Sequence, residues 1–223
     1  MTDGGARQTG PVTAEQLDLD HLVLGVADLD DAAATLLDEH GLVALAGGRH
    51  PLWGTANRIV PLGSCYLELV AVVDPDVAAD SAFGSWVAAM SARHSDWGWA
   101  VRTSDIAATA ERLDLDVVPG SRVTPAGLEL RWQLAGVPAA DTDRPLPFFI
   151  EWGDGTPMPG SAHADHPAGE VRIGAIEVQT DAAELGRWLG HADLPVTVRP
   201  GRRGVTRVEL TAGTGRIVLE PGL

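Results

Sequence analysis

His50 lies in the run RHPLWGTAN, beside Trp53 and ahead of a Gly54–Thr55 pair that shapes a tight bend. An imidazole on such a segment titrates near neutrality and can serve as a general base; its bland alternative is to cap the turn beside Pro51. Three acids sit in apolar runs of one form: Glu68 in YLELV, Glu151 in FFIEW and Glu220 in RIVLE. Strand alternation turns Glu68 away from Leu67 and Leu69, toward either solvent or a cleft. In a dry cleft it needs a partner, because an unpaired buried carboxylate is expensive. His21 follows Asp18 and Asp20 at the mouth of a strand, where it either bonds at the sheet edge or contacts a site. Asn57 and Arg58 can meet polar groups of a substrate, and Arg58 or Arg131 can clamp a carboxylate through paired hydrogen bonds. Trp53, Trp99, Trp132 and Trp152 fall in or beside predicted strands; any that line a pocket favour a flat or apolar ligand.

The elements that carry these residues repeat along the chain. Three segments start with a short apolar strand, pass an Asp and enter an Ala/Leu-rich helix: HLVLGVADLDDAAATLL from His21, GWAVRTSDIAATAERL from Gly98 and GAIEVQTDAAELGRWL from Gly174. Each then reaches turn-rich sequence and closes on one of the acid-bearing strands. The separations His21–Glu68, Gly98–Glu151 and Gly174–Glu220 are 47, 53 and 46 residues. Leu29, Ala32, Ala33, Leu36 and Leu37 follow the spacing of one buried helix face, as do Ile106, Ala110 and Leu113, and Leu185, Trp188 and Leu189. Asp28, Asp105 and Asp181 stand where N-caps belong. A strand, a helix and about three strands make a βαβββ unit. The predicted organisation is a flexible tail over 1–16, βαβββ modules over 17–76 and 94–154, and a linker helix over 77–93. A loop follows over 155–169, then a shortened third module over 170–223. In the linker helix Phe83, Trp86, Val87 and Met90 form an apolar stripe; in the loop, His163 and His166 read as solvated.

Composition limits the partners. The chain has 223 residues, 45% hydrophobic and 21% charged, with a net charge of −15; every basic side chain is Arg. A surface this acidic repels phosphate backbones and anionic lipid, which argues against nucleic-acid and membrane partners. Cys65 is the single cysteine, so no intrachain disulfide forms, and its apolar surroundings predict an inert thiol. No secretory signal and no membrane-length apolar run is present, so a cytoplasmic protein is expected. Nucleophile-elbow, phosphate-loop and zinc-helix motifs are absent, and the GTG near the C-terminus reads as a hairpin turn.

The opening His-x-V-L-x-V strand, the βαβββ order and RHPLWGTANRIVPLGSCYLELV together resemble the glyoxalase-like proteins of the vicinal oxygen chelate (glyoxalase/bleomycin resistance/dioxygenase) superfamily. The resemblance implies an α+β fold of tandem βαβββ modules with paired, curved, mixed sheets enclosing a small-molecule cleft. It implies a divalent metal (Mn, Fe, Co, Ni or Zn) held by His21, Glu68 and Glu151. The fourth family position falls on Gly98, which cannot ligate; His50 is placed to replace it. The implied activity is a metal-dependent lyase or isomerase acting on a small oxygenated metabolite, with Glu151 or His50 as the base. The alternative is a metal-free protein that binds or sequesters a small molecule, which the fold also supports. A homodimer is expected if the third module leaves strands unpaired.

Overall fold

The computed structural model describes residues 16–93, 97–138, 145–190, 192–201 and 203–221. All but the last residue of the expected tail lies outside the described residues. The first unit comprises β1 (Leu17–Gly25), α1 (Leu29–His40), β2 (Leu45–His50), β3 (Thr55–Pro61) and β4 (Tyr66–Val72). α2 (Pro75–Ala79) and α3 (Ala82–Arg93) lead to β5 (Trp97–Thr103), α4 (Ile106–Leu113), β6 (Val117–Val123), β7 (Glu129–Ala135) and β8 (Phe148–Trp152). After a 3₁₀ turn at Pro159–Ser161 come β9 (Val171–Gln179), α5 (Ala182–Leu189), β10 (Val196–Arg199), β11 (Gly204–Ala212) and β12 (Gly215–Leu219). The fold is α+β with curved mixed sheets.

The helices begin where the sequence places their caps. Asp28 accepts from the N–H groups of Asp30 and Asp31, Asp105 from Ala108 and Asp181 from Glu184, satisfying donors that have no partner within the helix. Leu36 is fully buried, whereas Leu37 on the same predicted stripe is 42% exposed. α3 buries Phe83, Trp86, Val87 and Met90.

In the first unit β1 runs parallel to β4, and in the second β5 runs parallel to β8. The two four-stranded sheets join along antiparallel β1–β5 and meet again where β2 pairs with β6 at Arg49–Val123. The result is a closed barrel of order β1-β4-β3-β2-β6-β7-β8-β5. The second junction depends on Gly48. Its φ is 151°, and a Cβ there would lie 2.2 Å from the Val123 carbonyl oxygen, so only glycine lets the strands meet.

The third unit repeats the order of elements but not the pairing. It has all five elements within Val171–Leu219, a shorter span than either barrel unit, and its sheet runs β10-β9-β11-β12. β9 therefore sits inside its sheet, parallel to β10 and antiparallel to β11, rather than beside the last strand. This sheet and α5 cover the outer face of the barrel. Trp188 packs against Phe149 with ring centroids 5.9 Å apart and donates from Nε1 to the Pro147 carbonyl at 2.8 Å. The preceding loop is pinned rather than merely solvated. His166 accepts from the Val43 N–H at 2.9 Å, and its other nitrogen meets the Pro61 carbonyl at 3.0 Å. His163 is exposed and pairs with Asp165. No helix among the described residues is long and apolar enough to cross a membrane.

The apolar residues divide into an outer core beneath α1, α4 and the third unit and an inner core within the barrel, where α3 contributes its aromatic face. A Trp188→Ala variant should lose about 3–5 kcal/mol of stability in urea unfolding. A loss below 1 kcal/mol would show that the third unit is not a structural part of the barrel.

Candidate functional site

The inward positions are set by strand alternation. On β4, Leu67, Leu69 and Ala71 enter the outer core while Val70 enters the inner one; Tyr66 and Glu68 share the inner side. On β3 the same rule turns Asn57 inward and Arg58 outward. His21, His50, Asn57, Glu68 and Arg122 line one cavity with Trp53, Trp132 and other aromatic walls.

β1 departs from alternation at one place. Its pairing with β5 shifts between Leu19 and His21, and this bulge turns Asp20 to the same side as His21. Asp20 is fully buried and satisfied three ways. It accepts from His21 Nδ1 at 2.6 Å, from Trp152 Nε1 at 3.0 Å and from Arg102 Nη1 at 3.3 Å. His21 is thereby fixed with Nδ1 donating and Nε2 facing inward, 3.7 Å from Glu68 Oε2; Tyr66 stacks on its ring at 4.6 Å. His50 lies across the carboxylate, its Nε2 4.0 Å from Glu68 Oε1 and its Nδ1 2.8 Å from Thr55 Oγ1. Asn57 joins the two units: its amide donates to Glu68, and its carbonyl accepts from Arg122 Nη1 at 3.2 Å. Gly47 makes this possible, since a Cβ there would meet Asn57 Oδ1 at 2.1 Å.

Burial holds the His50 pKa down at about 4, against the opposing pull of Glu68, with Arg122 and His21 lowering it further. His50 is therefore neutral at physiological pH. Burial also raises the Tyr66 hydroxyl well above its usual range and the Cys65 thiol to about 11, so neither ionises near neutrality.

The other expected site residues are placed elsewhere. Glu151 faces outward and accepts from the Ile106 N–H at 2.9 Å, at the start of α4. Arg58 pairs with Asp30 on α1 and the Ala44 carbonyl. Arg131 is exposed beside Glu129. Trp99 is in the outer core, its Nε1 bonded to the Pro145 carbonyl. Glu220, which the sequence does not place in the site, is paired with Arg207 at the surface. Asp20 and Arg122 are the site residues that the sequence reading misses.

The implied metal set is not assembled. His21 and Glu68 meet, but Glu151 is on the other side of the sheet. At Gly98 the space for a ligand is filled: a Cβ there would lie 2.3 Å from the Trp86 ring. His50 Nε2 lies 4.0 Å from Oε1 of Glu68, whereas His21 Nε2 lies 3.7 Å from Oε2. Among the described residues no group of three His, Cys, Asp or Glu side chains is arranged to hold a metal ion. Arg122 also places a fixed positive charge in the cavity, which disfavours an added dication. The donor set does not fit a resident divalent metal.

The family of glyoxalase-like domains matches residues 19–192, and the chain belongs to it. A hypothetical protein from Staphylococcus aureus shares the fold at a TM-score of 0.66 and 16% identity, over 92% of this chain and 99% of that one. Methylmalonyl-CoA epimerase from Mycobacterium tuberculosis is 18% identical, with a TM-score of 0.43 over 63% of this chain and 91% of that one. The Streptomyces coelicolor epimerase, in complex with 2-nitronate-propionyl-CoA, gives 16%, 0.43, 63% and 97%. No curated protein matches the sequence.

Gly98→Ala should cost about 1–3 kcal/mol by overpacking, and less in a Trp86→Ala background; equal costs in both would separate the two residues. For His50, the unfolded chain takes up a proton at about pH 6.5, whereas the folded chain resists it until about pH 4. Stability should therefore fall as pH drops through that window, by up to about 3 kcal/mol from this group. Urea unfolding of His50→Gln should show a shallower pH slope there; an unchanged slope would contradict the buried neutral imidazole.

Proposed function

We propose that the barrel interior is the active site of an isomerase or lyase that moves a proton at a carbon beside a carbonyl of a small oxygenated molecule. His21 is the proton-transfer group. The observation that carries this reading is the 2.6 Å contact between Asp20 Oδ1 and His21 Nδ1, which directs the basic Nε2 into the cavity. A carboxylate in this position fixes the tautomer and stabilises the imidazolium that forms when the ring accepts a proton. Glu68, 3.7 Å from Nε2, adds to that stabilisation from the other side.

His50 has a different role. A neutral imidazole is a poor acid but a good hydrogen-bond donor to a developing enolate oxygen. With the Thr55 hydroxyl donating to Nδ1, the Nε2–H is free to do this. Asn57 holds Glu68 in place. No step involves a metal, because the donors do not fit one.

Substrate entry requires the wall to open. The cavity measures about 20 Å³, room for about one water. An outer groove of about 710 Å³ shares Trp132 and Trp152 with it. Trp152 is the less buried of the two indoles, and its Nε1 bond to Asp20 is the polar latch.

The reading is tested by proton NMR in D2O with a panel of small ketones, aldehydes and 2-oxo and 2-hydroxy carboxylates. The wild-type protein should exchange the proton beside the carbonyl of at least one member. His21→Asn should slow this by about 10²–10⁴-fold, and EDTA should leave the rate unchanged. Exchange abolished by EDTA and restored by a divalent cation would replace this mechanism with a metal-dependent one. Binding without exchange would make the protein a metal-free small-molecule binder.

A further inference from the structure

Arg122 is 6% exposed and lines the interior cavity, yet it is under-used by the protein. A guanidinium has five N–H donors. Here Nη1 bonds to Asn57 Oδ1, while Nε is buried with no partner. Among the described residues no acceptor meets the Nε–Nη2 edge and no carboxylate stands within ion-pair distance. Glu68 is reached only through Asn57. The other buried carboxylate, Asp20, is already bonded to His21, Trp152 and Arg102. A buried cation with an unmet donor edge is costly to maintain. That edge has the spacing of a carboxylate's two oxygens.

The surroundings define the rest of the ligand. Trp53 and Phe83 are 4.6 Å apart, and Trp132 stands 5.7 Å from Trp53 and 5.3 Å from Trp152. These rings line the same cavity as Arg122; packed against one another in the closed barrel, they offer flat apolar faces to a ligand once the wall at Trp152 opens. Glu68 offsets the charge only through Asn57, and a neutral water in the cavity would bring no negative charge to the guanidinium itself.

We propose that the barrel interior binds a small carboxylate with a flat or apolar body, its carboxylate held side-on by Nε and Nη2 of Arg122. This rests on reading the barrel interior as the ligand site and names the class of molecule that enters it. It adds an anchoring residue, drawn from the second unit, to the polar set of the first. The anchor holds a group of the ligand that does not react, while His21 faces the one that does.

The test uses two isosteric pairs, acetate against acetamide and benzoate against benzamide, titrated into the full-length protein. The readout is the Arg122 Nε–H resonance in a nitrogen–proton correlation spectrum, assigned by its loss in Arg122→Met. In at least one pair the carboxylate should bind 10-fold or more tightly than its amide and move that resonance to higher proton frequency. Arg122→Lys, which keeps the charge without the planar edge, should lose most of the preference. Equal affinities in both pairs, absence of carboxylate binding, or a preference that survives in folded Arg122→Met would overturn the proposal. Neither acetate nor benzoate carries a ketone or aldehyde to activate, so carboxylate binding can succeed where proton exchange fails. The two readings therefore fall separately.

Discussion

Closing eight strands around polar side chains removes those side chains from water, and every arrangement inside the barrel answers to that constraint. Closure is local and steric: β2 and β6 meet because Gly48 has no Cβ to strike the Val123 carbonyl. Once the wall is continuous, Asp20, His21, His50, Asn57, Glu68 and Arg122 must satisfy one another. They form two short networks. In one, Asp20 gathers His21, Trp152 and Arg102; in the other, Asn57 bridges Glu68 to Arg122. His50 joins neither as an ion, since burial keeps it neutral. Low dielectric strengthens each of these bonds and raises the cost of each one left unmade, which makes the unmet edge of Arg122 informative.

Much of this was legible from residue order. Glu68 between two leucines must face away from the outer core, and His21, His50 and Asn57 fall on positions that alternation brings to the same side. The same rule would have placed Arg131 outside, since Leu130 and Trp132 flank it and turn inward. It would also have turned Glu151 away from Ile150 and Trp152, both of which line the cavity. The family resemblance implies the opposite direction for Glu151. Asp20 was not legible, because a bulge changes the parity of a strand and no local residue type announces this one. Arg122 was hidden for another reason. The inward positions of β6 include Gly120 and Arg122, so that face has no apolar pattern to contrast with the outer one. The third unit shows the limit of repeats: element order and spacing recur, but whether the first strand ends beside the second or the last is decided by packing against the barrel.

The two halves of the barrel are alike in topology and unlike in chemistry. The first supplies both histidines, both buried carboxylates and Asn57. The second supplies Leu130, Trp132, Leu134, Phe148 and Ile150 to the inner core and, among the described residues, a single buried cation, Arg122. The substitution that divides them is at Gly98. A ligating side chain there would have faced β1 from β5; instead Trp86 of α3 occupies the space. An indole in that position fills the space that a side chain at residue 98 would need. The proposed proton transfer relies on groups whose charge is set in advance by their partners. The Asp20–His21 pair is of that kind: its geometry exists before any ligand arrives, and it does not need to reorganise when a proton moves.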